Sequence, residues 1–185
     1  MSVIVAIDQS TSATKALLFD THGYLLDRTS LDHKQHYPKP GWVEHDAEEI
    51  YQKTLQSLRI LLNKHHELKN DLLCLSITNQ RETIVVFERG TGKPLYKAIV
   101  WQCRRGEPIC ERLIQAGHSE QVQALTGLKI DTYFPASKIT WLCETQPDIQ
   151  QKLLSGEALL GTIDTYLIYR LTRGATFATE QSKAS

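Results

Sequence analysis

The sequence predicts an α/β fold in which a mixed β-sheet carries helices on its faces. Two observations lead there. The opening thirty-odd residues are apolar, β-branched-rich runs separated by short turns, the pattern of an antiparallel meander. Beyond it, apolar runs alternate with segments of helical periodicity, and strands interleaved with helices are the signature of a sheet covered on both sides. A chain of 185 residues, 41% hydrophobic and 23% charged, suffices for one domain with a sizeable core.

Taken in order, residues 3–7 are continuously apolar and read as a strand buried on both faces. Residues 15–19 form its partner. "THGY" is a turn with Gly23 free to adopt positive φ, and 25–31 is a third, edge-like strand. "YPKPGW" is a loop, because two prolines and a glycine bar regular structure. Asp46 followed by Glu49 predicts an N-cap with its capping-box partner. The helix after it places Ile50, Thr54, Leu58, Leu61 and Leu62 on one stripe. Residues 72–77 are the next buried strand. Two more, 83–88 and 95–101, are joined by the Gly-rich hairpin connection "RGTGKP". Helices follow at 107–116, at 119–125 with Gly127 as a stop, at 137–144, from Pro147, and at 164–171 ending near Gly174. No repeat, low-complexity tract or linker composition interrupts this order. The closing "ATEQSKAS" carries no charged tail or glycine stop and reads as chain cut within a domain.

Lys plus Arg balances Asp plus Glu at 21 each, so no global field draws in nucleic acid or an anionic membrane, and neither is an expected partner. No apolar run approaches the ~20 residues of a membrane span, and "MSVIVAID" lacks the basic region of a signal peptide. Cys74, Cys103, Cys110 and Cys143 make no C-x-x-C pair and read as reduced thiols of a cytoplasmic protein. His33 with His36, and His65 with His66, read as solvated surface rather than a metal site. A homo-oligomer is compatible with all of this.

Chemistry concentrates in two places. Ser10, Thr11, Ser12 and Thr14 fill the turn between the first two strands. Backbone N–H groups in such a turn, with hydroxyls as added donors, can hold phosphate, and Lys15 adds a point charge. Asp8, at the end of a strand, is placed to hold magnesium through water. A hairpin whose hydroxyls bond their own backbone explains the turn equally well. It is not a Walker A loop. The second place is "ITNQRETIVVF", where Arg81 and Glu82 sit between two apolar strands. A guanidinium fork beside a two-oxygen acceptor can satisfy neighbouring hydroxyls of a polyol. Trp101 offers a flat face for the C–H side of a small polyol, and Tyr133 in "DTYFPASK" offers a phenol. Against this, Arg81 and Glu82 also suit a surface ion pair, and the two aromatics suit core packing.

Together these segments resemble the FGGY family of carbohydrate kinases. "AIDQSTSATKALLFD" is similar to that family's first phosphate loop, "YPKPGWVEHDAEEI" to the segment before its first long helix, and "ITNQRETIVVFERGTGKPLYKAIVWQCRR" to its most specific stretch. "TGLKIDTYFPASKITWL" and "GTIDTYLIYRLT" continue the likeness, in order, along the chain. The resemblance implies a ribonuclease-H-like, actin-like ATPase fold, with residues 1–185 as an incomplete N-terminal domain and a C-terminal nucleotide-binding lobe beyond it. It implies that ATP with magnesium phosphorylates glycerol to glycerol 3-phosphate, or another small polyol or sugar in a sister enzyme. A non-catalytic polyol-binding fragment is the third reading. By motif, Arg81, Glu82, Trp101 and Tyr133 fall on the residues that hold the polyol. Ser10, Thr11, Ser12, Ala13 and Lys15 fall on the phosphate-binding loop, and Asp8 on the magnesium-linked carboxylate. The family's catalytic base lies in a motif beyond Ser185, so the 185-residue chain alone is expected not to turn over. Two positions depart from the family pattern: Ser10 stands where a glycine is usual, and Lys15 where an arginine is usual.

Overall fold

β1 (Val3–Gln9) and β2 (Ala13–Asp20) pair antiparallel with Asp8 opposite Lys15 and Gln9 opposite Thr14. β3 (Leu25–Asp32) extends the meander beyond β2. After it come the two-residue strands β4 (Gln35–His36) and β5 (Glu44–His45), and then α1 (Ala47–Lys64). A 3-10 turn at His66–Asp71 leads into β6 (Leu72–Asn79), which joins β1 in parallel. The sheet order β3-β2-β1-β6 is thus mixed, as the ribonuclease-H-like expectation requires. These observations come from a computed structural model that describes residues 1–181; the remainder of "ATEQSKAS", residues 182–185, lies outside them.

β1 alternates strictly, with Val3, Val5, Ile7 and Gln9 buried and the residues between them half-buried. The expectation of two equally buried faces is therefore corrected. α1 lies across β2 and β3, and its Leu61 joins Val3, Val5, Ile7, Ala16 and Leu18 in one core. Asp46 caps α1 as the sequence suggests, accepting from the Glu48 and Glu49 N–H groups at 3.0 and 3.2 Å. The Glu49 carboxylate accepts from the Lys34 N–H at 3.2 Å. β6 is also corrected: predicted as buried, it forms the sheet's edge, with Leu73 61% and Leu75 38% exposed and Cys74 exposed. Its hydrophobicity alone could not say which side of it would be covered.

The histidines depart from the surface reading as well. His33 is 7% exposed, and His65 Nε2 lies 2.9 Å from Asp27 Oδ2. Of the four, His66 stands clearly in solvent, its side chain 79% exposed.

The chain divides into two compact units, Met1–Gln35 with Asp46–Gln80, and His36–His45 with the chain from Arg81 onward. Composition marks one boundary only: "YPKPGW" begins just past the crossing at Gln35, while the crossings at His45 and Gln80 fall in ordinary polar sequence. The second unit has its own sheet, β4-β5-β8-β7-β9, built on β7 (Ile84–Glu88) with β8 (Ala98–Ile99) and β9 (Ala158–Thr162) antiparallel on either side. The strand expected at 95–101 shrinks to two residues. The "RGTGKP" hairpin does form, with Glu88 N–H donating to the Lys93 carbonyl at 2.9 Å. Pro94 pairs opposite Phe87, and the Leu95 N–H donates to the Val86 carbonyl at 2.9 Å, so the pairing passes the proline before it lapses.

Five helices complete this unit: α2 (Glu107–Gln115), α3 (Ser119–Thr126), α4 (Pro135–Thr145), α5 (Pro147–Ser155) and α6 (Ile163–Leu171). Gly127 ends α3 at φ 72°, a left-handed cap that a side chain would strain. Leu142 of α4 and Ile149 of α5 pack on Ile84 and Val86 from one side. Tyr166 and Tyr169 of α6 meet Phe87 at 5.3 and 5.2 Å between ring centroids. Ile84, Val85, Val86 and Phe87 are all 2% exposed or less, so β7 is the strand buried on both faces.

Candidate functional site

In the first unit, the hydroxyl-rich turn is a tight hairpin. Ser10 N–H donates to the Ala13 carbonyl at 2.8 Å, which leaves Thr11 and Ser12 at the tip. Ser12 is exposed, Thr11 half-buried and Ala13 buried. Beside the tip, Asp8 Oδ2 accepts from Ser10 Oγ at 3.0 Å and from Lys15 Nζ at 2.9 Å, and Lys15 reaches Ser10 Oγ at 3.2 Å. Register explains the grouping: Asp8 and Lys15 are cross-strand partners and point to the same face. The structure therefore brings Asp8, Ser10 and Lys15 together, with Thr11, Ser12 and Ala13 completing the turn. Glu82 and Arg173 are the non-glycine residues at positive φ among those described, so Ser10 holds ordinary backbone and its replacement of a glycine brings no strain.

A buried amide ladder braces the loop from behind. Gln80 N–H donates to the Gln9 carbonyl at 2.7 Å, Gln80 Nε2 to Gln9 Oε1 at 2.9 Å, and Gln9 Nε2 to the Ser10 carbonyl at 2.8 Å. His33 braces the turn as well: its N–H donates to the Ser12 carbonyl at 3.2 Å, and its ring is buried near the Thr11 backbone. Sequence reasoning missed these braces, since a histidine in a polar stretch gives no signal of burial.

Burial pushes the His33 imidazole below its ordinary 6.5, outweighing the opposing Thr11 backbone and the carboxylates of Glu49 and Asp32. A depressed base favours the folded state in its neutral form. Its contribution is therefore whole above pH 6.5 and is lost as pH falls below that value. Thermal unfolding at pH 7 and pH 5 is expected to show a larger acid loss in wild type than in His33→Gln. Equal losses in the two proteins would remove this role for His33.

In the second unit, Glu82 is 5% exposed and holds φ 63°, while Arg81 beside it is exposed. A buried carboxylate is not half of a surface ion pair, so that alternative reading falls. Thr83 Oγ1 accepts from the Trp101 N–H at 3.1 Å and ties the residue after Glu82 to the tryptophan. Trp101, half-buried, packs against the sheet's core on one side. It meets Tyr133 edge-on with ring centroids 5.8 Å apart, and Tyr133 keeps 38% of its surface exposed. The Asp131 carboxylate accepts from the Tyr133 N–H at 2.8 Å, and that bond, with Lys129 next, holds its pKa below the ordinary carboxylate range. Arg81 and Glu82 thus precede Thr83, which is tied to Trp101, and Trp101 in turn meets Tyr133. An exposed guanidinium, a buried carboxylate and two partly open rings can together engage vicinal hydroxyls and their C–H backbone. Lys138 of α4 was passed over in the sequence, although it stands one helical turn before the buried Leu142.

The chain matches the model of the FGGY family of carbohydrate kinases, N-terminal domain, over residues 3–185. It is 46% identical to glycerol kinase 1 of Thermotoga maritima over 98% of its own length and 37% of that protein's. It is 44% identical to the glycerol kinase of Bordetella parapertussis, covering 98% of this chain and 36% of that protein. The chain thus spans little more than a third of these relatives. Among solved structures, Plasmodium falciparum glycerol kinase with ADP superposes with a TM-score of 0.83 at 41% identity, over 94% of this chain and 35% of that one. Gluconate kinase from Lactobacillus acidophilus shares the fold at TM-score 0.79 and 20% identity, over 91% and 33%.

Proposed function

The chain belongs to the FGGY family of carbohydrate kinases, and from that membership we propose that it is the polyol-binding N-terminal part of an enzyme that moves the γ-phosphate of ATP to a terminal hydroxyl of glycerol, giving glycerol 3-phosphate. The observation that supports this best is the convergence of Glu82, Trp101 and Tyr133 in one unit, with Arg81 adjoining. Arg81 donates to hydroxyl oxygens from its fork, and Glu82 accepts hydrogen bonds from the hydroxyls. The Trp101 face packs on the carbon chain, and the Tyr133 phenol reaches a further hydroxyl.

The turn in the first unit suits the phosphates of the nucleotide. Thr11 and Ser12 present hydroxyls at its tip, Ala13 adds its N–H, Ser10 its hydroxyl and Lys15 its charge. Among the described residues no three His, Cys, Asp or Glu side chains gather to form a metal cage. Magnesium would rest on Asp8, water and phosphate oxygens, as this ion prefers. When bound it neutralises charge on the β- and γ-phosphates. Lys15, paired with Asp8 at 2.9 Å, would add its positive charge beside the phosphates. The rest of the enzyme, a C-terminal nucleotide-binding lobe and the general base, is to be sought in sequence beyond residue 185, since the chain spans 37% of such a relative. We place it in the cytoplasm, in keeping with four free thiols; no helix among the described residues is long and apolar enough to cross a membrane.

Arg81→Ala in the full-length protein tests the pocket. Losing hydrogen bonds to a charged donor costs about 1.5–3 kcal/mol, so kcat/KM for glycerol is expected to fall by about ten- to a hundredfold. An unchanged KM and kcat would remove Arg81 from the pocket. A panel of small polyols and sugars assayed with wild type separates glycerol from another substrate, and absence of glycerol phosphorylation would overturn the reading.

A further inference from the structure

α4 carries a lysine into the interior of the second unit. Lys138 is 0% exposed, one helical turn from the buried Leu142. A buried ammonium is tolerated when its donors are met, and here all three are. Nζ donates to the carbonyls of Thr132 at 2.5 Å, Tyr133 at 2.7 Å and Phe134 at 3.2 Å. Those carbonyls belong to the loop that presents Tyr133 to Trp101. The same ammonium lies in the field of Cys103, Glu82, Cys110 and Asp131. One buried charge thus links two of the residues assigned to the pocket, Tyr133 through its backbone and Glu82 through the field.

We propose that Lys138 is a positioning residue of the polyol pocket, clamping the backbone of 132–134 so that the Tyr133 ring stays set against Trp101 and both face the substrate. This rests on the reading of that pocket given above. A lysine that merely stabilised the fold would behave differently, and pH tells the two apart. Burial lowers the Lys138 pKa from 10.5 to about 8, against the raising effects of Cys103, Glu82, Cys110 and Asp131. Its charged form therefore weighs against folding below pH 8, and that penalty shrinks as pH rises from 8 toward 10.5. The neutral amine has only two donors, so one loop carbonyl is released as pH passes about 8. Alkaline pH loosens the clamp while relieving the fold.

The test compares full-length wild type, Lys138→Met and Lys138→Arg by steady-state kinetics and thermal unfolding between about pH 7 and 9.5. Lys138→Met is expected to raise KM for glycerol by about tenfold or more and to leave KM for ATP within about twofold. Lys138→Arg, which stays charged, is expected to recover most of that loss. In wild type, KM for glycerol is expected to climb as pH passes about 8 without a matching fall in Tm, and in Lys138→Arg to stay flat. Cys103 and Cys110 remain in both proteins, so whatever they contribute is common to the comparison. A Lys138→Met protein with wild-type KM for glycerol and only a lower Tm would overturn the proposal. So would an Arg variant that shares the alkaline climb. If the Met variant does not fold, the wild-type and Arg profiles decide. A wild type that phosphorylates no polyol would sink the functional reading and the positioning role with it, an outcome separable from a polyol kinase indifferent to Lys138.

Discussion

Glu82→Gln is expected to lower kcat/KM for glycerol by about a hundredfold or more while leaving Tm nearly unchanged. The carboxylate is 5% exposed, and the residue holds φ 63°, a left-handed conformation that costs a side-chain-bearing residue about 1–2 kcal/mol. A position selected for stability would carry glycine or asparagine there. That Glu82 stands in it suggests a use for the carboxylate beyond holding the fold. Glu82→Gly makes the separation sharper. It relieves the strain but adds chain entropy of similar size, so stability is expected to move by less than about 1 kcal/mol. Activity should fall at least as far as in the glutamine variant. Kinetics with glycerol beside thermal unfolding checks both variants. A Glu82→Gly protein with near-wild-type kcat/KM would show that the polyol does not depend on this carboxylate.

The same residue shows where reading the sequence stops. "NQRET" revealed an arginine and a glutamate between two strands, and the choice between surface ion pair and ligand pocket stayed open. Burial of Glu82 removes the ion-pair alternative, and burial depends on what surrounds the strand entry: Thr83 held to Trp101, and Trp101 met by Tyr133. None of those contacts is local. Helices were legible because their signals are: Asp46 as a cap, Gly127 as a left-handed stop, Pro147 at a first turn. The division into two units was not, since β4 and β5 are two residues each and the crossings at His45 and Gln80 carry no linker composition. β6 and β7 are both apolar runs, yet β6 is an exposed edge and β7 is covered on both sides. Periodicity cannot tell them apart, because what covers a strand is settled by topology. His33 and Lys138 were misjudged or missed for a related reason. His33 is held by the Thr11–Ser12 turn between two other strands, and Lys138 by carbonyls four to six residues before it in a loop whose conformation spacing does not give.

Arg105→Met is expected to cost about 3–5 kcal/mol of stability, the largest single-residue loss in the second unit outside its apolar core. The Arg105 side chain is 0% exposed and its Nη2 donates to Glu44 Oε1 at 2.6 Å, the Glu44 side chain being 11% exposed. Nε donates to Cys103 Sγ at 3.0 Å, and the guanidinium lies over Trp42 at 4.0 Å and Trp141 at 4.8 Å. Methionine fills much of the stem's volume but leaves the Glu44 carboxylate facing the interior without its cation. Most of the loss arises from that desolvated charge and not from the pair's own net value, since a buried pair gains little over apolar residues that pack well. The double variant Glu44→Gln/Arg105→Met should therefore recover a substantial part of the loss, and chemical denaturation of the two single variants and the double gives the coupling directly. β5, which carries Glu44, pairs with β8 through two residue pairs, Glu44 with Ile99 and His45 with Ala98. With so short a ladder, the ion pair and the Trp42–Arg105–Trp141 stack fix where β5 docks. Single-variant losses that simply add in the double would show that the two side chains act independently, and that β5 is held by its ladder and the Val43 contacts alone.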